Sequence, residues 1–99
     1  MILEVALLNV REGMSSAFEA AFCEAGKIIS AVPGYVGHDL QRCLEVADRY
    51  VLLVRWTTLE AHTVSFRGSP QYQEWKRLLH HFYDPFPTVE HFEAVEIQR

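Results

Sequence analysis

The sequence predicts an α+β domain of ferredoxin-like form, βαββααβ in order, with a four-stranded antiparallel sheet and its helices on one face. Two observations carry this. Along the 99 residues the apolar spacing switches repeatedly between the period of two of a strand and the period of about 3.6 of a helix, and each switch falls at a break rich in Gly, Pro, Asp or Thr. The resulting order is that of a split βαβ unit, whose antiparallel sheet tolerates cover on one side only.

Residues 2–10 are Leu-rich and β-branched and end at the Arg11-Glu12-Gly13 turn, which makes them the first strand. From Met14 the positions Phe18, Ala21, Phe22, Ala25, Ile28, Ile29 and Val32 follow the spacing of an amphipathic helix, and Pro33-Gly34 stops it because Pro cannot continue the hydrogen-bond ladder. Residues 35–44 alternate, with Val36, His38, Leu40 and Arg42 on one face and Tyr35, Gly37, Asp39 and Gln41 on the other. Glu45 to Asp48 then turns into a third strand over residues 49–56. That strand is apolar on both faces apart from Arg55, since Val51 and Leu53 point away from Tyr50, Leu52, Val54 and Trp56. Helices cover one face, so a second copy of the sheet is expected against the other, in a two-fold homodimer.

Thr57-Thr58-Leu59-Glu60 has capping-box form, with Thr57 bonding the third helical N–H and Glu60 reaching back. The helix it opens carries His62 and Phe66 and stops at Gly68. Ser69-Pro70 opens another, with Ser as N-cap and Pro in the first turn, and Tyr72, Trp75, Leu78, Leu79 and Phe82 form its apolar face. Asp84-Pro85-Phe86-Pro87 ends it, and Thr88 to Ile97 alternates as the fourth strand.

Composition is that of an ordinary globular chain: 49% hydrophobic, 22% charged and 12% aromatic residues exclude disordered and low-complexity classes, and the length leaves a single domain over residues 1–99. Half the residues being apolar is more than the core of so small a monomer needs. Thirteen acidic against nine basic residues give a net charge of -4, and the basic ones are scattered, so no nucleic acid is expected as partner. No run approaches the roughly 18 apolar residues that would span a membrane. The first ten residues lack a basic leader and read as a strand, so the expected location is cytoplasmic, with Cys23 and Cys43 as reduced thiols filling small spaces.

Aromatic and histidine residues concentrate after residue 56. If the helices cover the Tyr50, Leu52, Val54, Trp56 face, then His62, Phe66, Tyr72 and Trp75 line an aromatic, sparsely polar pocket suited to a flat organic ligand. His62 shares a stripe with Leu59 and Phe66 and faces inward, either as a general base or as a core histidine bonded to a backbone carbonyl. Arg67 and Lys76 are candidates to offset a developing enolate or phenolate, the commoner fate of such residues being solvation. His80 and His81 diverge by about 100° on a helix and have no His-x-x-x-His partner, so no metal site is expected. His81, His38 and His91 are expected at the surface or at strand edges. No Gly-rich phosphate loop and no Gly-x-Ser-x-Gly elbow occurs, which removes nucleotide and hydrolase readings.

Val10-Arg11-Glu12-Gly13 before the long helix, Pro33-Gly34-Tyr35, Asp48-Arg49-Tyr50, Val54-Arg55-Trp56, Glu60-Ala61-His62 and Phe66 to Tyr72 give the chain a pattern. Together they resemble, over nearly its whole length, the antibiotic biosynthesis monooxygenase family of dimeric α+β barrels. The resemblance implies a homodimer with one pocket per subunit and, in catalytic members, oxygenation of polycyclic phenols or quinols without metal or flavin. Trp56 matches the Trp that lines the pocket of members oxidising aromatic polyketides, and Phe66 and Pro70 fall in register. The Asn that holds the oxygenated intermediate is Leu52 here, a helix Tyr is His62, and an Arg is Lys76. Against the haem-degrading branch, the first-strand Asn falls at Ala6, the helix Trp at Ser65 and the haem-ligating His at Trp75, so haem degradation is not expected.

The leading expectation is therefore a cofactor-independent monooxygenase acting with O2 on a small aromatic phenol or quinol. His62, Trp56 and Lys76 are its expected catalytic residues, with Leu52, Phe66, Arg67, Tyr72 and Trp75 around the substrate. Leu52 in place of the carboxamide favours the competing expectation, a ligand-binding or stress-response dimer without the chemistry. An isomerase on the same barrel is the third.

Overall fold

The structure is a computed structural model and describes residues 1–97. Strand β1 (Ile2–Asn9), helix α1 (Ser15–Ile29), strands β2 (Tyr35–Arg42) and β3 (Arg49–Trp56), a π-helical segment (Ala61–Phe66), helix α2 (Pro70–Leu79), a 3-10 turn (His80–Phe82) and strand β4 (Val89–Glu93) follow one another. The four strands form one open antiparallel sheet in the order β2-β3-β1-β4, the ferredoxin-like arrangement. Among the described residues no helix is long and apolar enough to cross a membrane.

Side-chain alternation divides the sheet into two faces. Glu4, Ala6 and Leu8 of β1 and Tyr50, Leu52, Val54 and Trp56 of β3 are buried beneath the helices. The other face is open and carries Leu3, Val5, Leu7, Val51, Leu53 and Phe92, with Leu7 and Phe92 about half exposed.

α1 buries Phe18, Phe22, Ala25 and Ile29, one stripe at helical spacing, and the Phe18 ring packs tilted at 4.9 Å from that of Tyr50 and edge-on at 5.7 Å from that of Phe82. The helix ends at Ile29, three residues before the expected Val32, which stays buried in the turn that follows. Gly34 then has φ +90°, and a Cβ there would meet Ala61 Cβ at 2.5 Å. Only glycine suits both the left-handed backbone and this close approach. Its carbonyl accepts from Thr57 N at 2.8 Å and so ties the start of β2 to the end of β3.

A bulge between Tyr35 and Gly37 corrects the simple alternation expected for β2. It turns Val36 outward and brings Tyr35 onto the core side, where its hydroxyl hydrogen-bonds His38 Nδ1. β4 is shorter than the expected Thr88–Ile97, because Glu93 already pairs with Ile2 and β1 offers no further partner. The helix cap also differs. Thr58, not Thr57, accepts the Ala61 N–H at 3.1 Å, so the helical turns begin one residue later, whereas Ser69 caps α2 as expected by accepting from Tyr72 N. Cys23 is exposed and fills no space; both cysteines are free thiols.

Candidate active site

The space between the sheet and its helices is filled on one side and hollow on the other. Under α1 the packing is tight. Under the π-helical segment and α2 lies a cavity of about 520 Å³, walled by Phe66, Tyr72, Trp75, His80, Tyr83 and Phe86 and floored by Glu4, Ala6 and Leu8 of β1. Ala6 is the small residue that leaves room. The segment from Ala61 to Phe66 has the wider π-helical turn, in which Arg67 N donates to His62 O five residues back at 3.2 Å.

Four polar side chains are joined at the edge of this cavity. Trp56 is fully buried, and its Nε1–H donates to Glu4 Oε1 at 2.9 Å. The His62 ring lies flat over the Trp56 indole, with centroids 5.3 Å apart and an interplanar angle of 19°. Its Nε2 is 3.4 Å from Glu4 Oε1, and its Nδ1 is hydrogen-bonded to His91 Nε2 at 2.8 Å. Glu4 and His91 are directly paired across β1 and β4, which fixes their common face. The second oxygen of Glu4 has no hydrogen-bond partner among the described residues and is not among their buried unpartnered atoms, and Glu4 lines the cavity.

Burial reverses the usual order of acidity in this group. It pushes the Glu4 carboxyl up from its ordinary value, against the lowering effect of the Trp56 hydrogen bond and the charge of Arg67. It pushes His62 down to about 3, helped by the charges of Arg67 and His91. The His62–Glu4 contact is therefore not an ion pair at neutral pH, and of the two groups the carboxylate is the better proton acceptor. His91 and His80 are also lowered, first by burial and then by Arg67 and Lys76 respectively.

The structure brings together His62, Phe66, Arg67, Tyr72 and Trp75 at the cavity and leaves three of the expected site residues outside its lining. Trp56 lies outside the lining and meets it through Glu4, His62 and Phe66. Leu52 is buried in the sheet, paired with Ala6 and Leu40. Lys76 lies on α2 with its ammonium 5.9 Å from the centre of the Tyr72 ring and is not part of the cavity lining. Arg67 borders the cavity and forms no ion pair among the described residues.

Glu4, His80 and Tyr83 in the cavity lining and His91 beside His62 were not among the expected site residues. A signal existed for the first: Glu4 is in phase with Ala6 and Leu8, the core side of an otherwise apolar strand. His91, expected on a strand at an edge or at the surface, lies on the edge strand β4 and is part-exposed, and the register of β4 against β1 puts it on the same face as Glu4. His81 is exposed, as its position opposite the apolar stripe implied. Among the described residues no three His, Cys, Asp or Glu side chains converge to hold a metal ion. A larger, shallower groove of about 720 Å³ runs between α1 and β2, but its central charges pair among themselves, Glu19 accepting from both Arg42 and Tyr50.

Comparison with known proteins agrees with this geometry. Residues 1–78 match the antibiotic biosynthesis monooxygenase family. The chain is 56% identical over 95 residues to the uncharacterized protein YczJ of Bacillus subtilis, covering 96% of this chain and 100% of that one. A crystal structure from Bordetella bronchiseptica assigned to the same family superposes with a TM-score of 0.91 at 35% identity, covering 96% and 97% of the two chains. SnoaB, a cofactor-independent oxygenase from Streptomyces nogalater, shares the fold with a TM-score of 0.75 at 24% identity, over 97% of this chain and 94% of that one. The profile match, the 35% identical structure and the sheet-and-helix cavity agree: this chain belongs to the antibiotic biosynthesis monooxygenase family.

Proposed function

We propose that the protein is a cofactor-independent monooxygenase of a flat phenol or quinol, in which Glu4 is the proton acceptor. The observation that carries this is a buried carboxylate, with its acidity lowered by burial, on the floor of an aromatic-walled cavity. A general base is most effective when its pKa lies near the working pH, and burial moves a carboxylate in that direction. The base expected at His62 is revised for the same reason, since an imidazole held at about 3 is a poor proton acceptor.

In this reading Phe66, Tyr72 and Trp75 hold the ring, and the open oxygen of Glu4 takes the phenolic proton. Arg67 offsets the phenolate charge. The electron-rich ring carbon transfers electrons to O2 and forms a C–O bond, giving a peroxide that Glu4 protonates. Loss of the C–H proton with cleavage of the O–O bond then releases water: HO–Ar–H and O2 give O=Ar=O and H2O. The apolar walls keep water from quenching the carbanion. Trp56 is a positioning residue that holds Glu4, and Leu52 and Lys76 have no part in the chemistry. The open apolar face of the sheet supports a homodimer in which two such faces pack together.

An oxygen electrode tests the reading with hydroquinone, 1-naphthol and an anthrone as probes. The expected result is one O2 consumed per quinone formed, and Glu4→Gln lowers kcat by about 10²-fold or more while the fold is kept. Binding of a probe without oxygen uptake would instead make the protein a ligand-binding module. Light scattering checks the dimer, which a stable monomer at micromolar concentration would refute.

A further inference from the structure

One buried hydroxyl of the cavity wall, that of Tyr83, has no use in the fold or in the chemistry above. Resting on the reading of the cavity as a site for a flat phenol, we infer that Tyr83, with His80 beside it, forms a second polar subsite. It binds a neutral oxygen substituent, a hydroxyl or a carbonyl, at the end of the ligand away from Glu4, so the ligand is a flat aromatic oxygenated at both ends.

Three observations support it. Tyr83 lines the cavity and is 6% exposed, yet its hydroxyl has no hydrogen-bond partner among the described residues and is not among their buried unpartnered atoms. Packing alone would be served by a phenylalanine, since the ring meets Phe18 at 6.0 Å and Phe86 at 6.2 Å just as Phe82 meets Phe18 at 5.7 Å. The other hydroxyls of the lining, on Tyr72 and Thr88, belong to a half-buried and an exposed residue. Second, His80 lines the same cavity with its ring centre 6.1 Å from that of Tyr83, and it too has no side-chain partner among the described residues. The third observation is placement. Tyr83 pairs with Val10, which continues the buried phase of Glu4, Ala6 and Leu8, so about 20 Å of extended chain separates its partner from Glu4.

The two ends differ in kind. Beside Glu4 stands the Arg67 charge, which suits a hydroxyl that ionises. At the other end burial pushes the Tyr83 phenol up from its ordinary value and, with help from the charge of Lys76, pushes the His80 imidazole down from its own, so both are uncharged at neutral pH. Tyr83 then donates to a neutral oxygen, and His80 donates or accepts according to its tautomer. A ligand that brings an oxygen to this place replaces the hydrogen bond the Tyr83 hydroxyl makes with water, whereas a bare ring edge removes it. The subsite therefore discriminates between ligands and takes no part in the proton transfer.

Calorimetric titration under argon tests it with two matched pairs of probes, 1-naphthol against 1,5-dihydroxynaphthalene and 2-naphthol against 2,6-dihydroxynaphthalene. The wild type is expected to bind the dihydroxy member of at least one pair about tenfold more tightly, beyond the roughly twofold gain from its two equivalent ends. Tyr83→Phe is expected to remove this preference while the affinity for the monohydroxy member stays within about twofold. Its thermal unfolding is expected to be unchanged or raised, because the hydroxyl has no internal hydrogen bond to lose; a structural hydroxyl would lower it. His80→Phe, which keeps a ring against Phe86, is the second variant and is expected to lower the preference about threefold. A preference that survives in Tyr83→Phe overturns the subsite, as does its absence from the wild type in both pairs or a failure of all four probes to bind. Oxygen uptake separates the two readings: a Tyr83-dependent preference without uptake removes the oxygenase and leaves the subsite, and uptake without the preference does the reverse.

Discussion

One sheet face supports two different interiors. Beneath α1, large apolar side chains meet: Phe18, Phe22 and Ile29 are buried in one cluster with Tyr50 and Val54, and the groove on this side is a shallow one between α1 and β2. Beneath the π-helical segment and α2, the floor is Glu4, Ala6 and Leu8, and a cavity remains. The sheet is the same, so the difference lies in what each half brings. A regular 15-residue helix presents one continuous stripe to the filled half, whereas a short π-helical segment, a capped helix and a 3-10 turn arch over the hollow half. Dry packing supplies stability in the first, and in the second the same aromatic residue types become walls.

Truncation is the strongest way to break this contrast. Phe18→Ala should cost about 3–5 kcal/mol, the usual loss for a fully buried ring whose site cannot collapse, and denaturant unfolding measures it. An effect below about 1 kcal/mol would mean that the α1 half is not the stabilising one.

Acid titration sharpens the contrast from the other side. His62 has its pKa depressed from 6.5 to about 3 in the folded protein. Between those values the unfolded chain binds a proton that the native one does not, so stability falls as pH drops from about 6.5 towards 3. His80 and His91 act in the same direction. Glu4, raised on folding, opposes them at pH values above 4.5 up to its folded pKa, where the native state holds its proton more tightly. His62→Gln should therefore flatten the acid side of the stability curve by up to a few kcal/mol at pH 4. Parallel wild-type and variant curves would show that His62 is not held neutral by the fold.

The smallest effect is expected at the cavity wall. Tyr72→Ala should cost only roughly 1 kcal/mol, because one side of that ring already borders empty space and the side chain is only half-buried, yet it should weaken the binding of an aromatic probe followed by fluorescence. A loss as large as that of Phe18→Ala would show that the cavity closes in solution.

Much of this was legible in the residues. The period switches, the Pro33-Gly34 and Ser69-Pro70 signals and the two-faced apolar β3 determined the element order, the helix start at Ser69 and an uncovered sheet face, because backbone periodicity and capping chemistry act within a few residues. The aromatic wall of Phe66, Tyr72 and Trp75 and the position of His62 followed from the same local rules. Only the tertiary structure decided which strands pair and in what register. That register sets Glu4 beside His91, brings His62 over both, and slips Val36 outward at a bulge. It also decided that Trp56 donates to Glu4 and that Lys76 stays out of the cavity lining. These contacts join residues 29 and 52 positions apart in sequence. No local propensity encodes such a meeting; it follows from closing the sheet and burying the groups together, which is also what shifts their acidities.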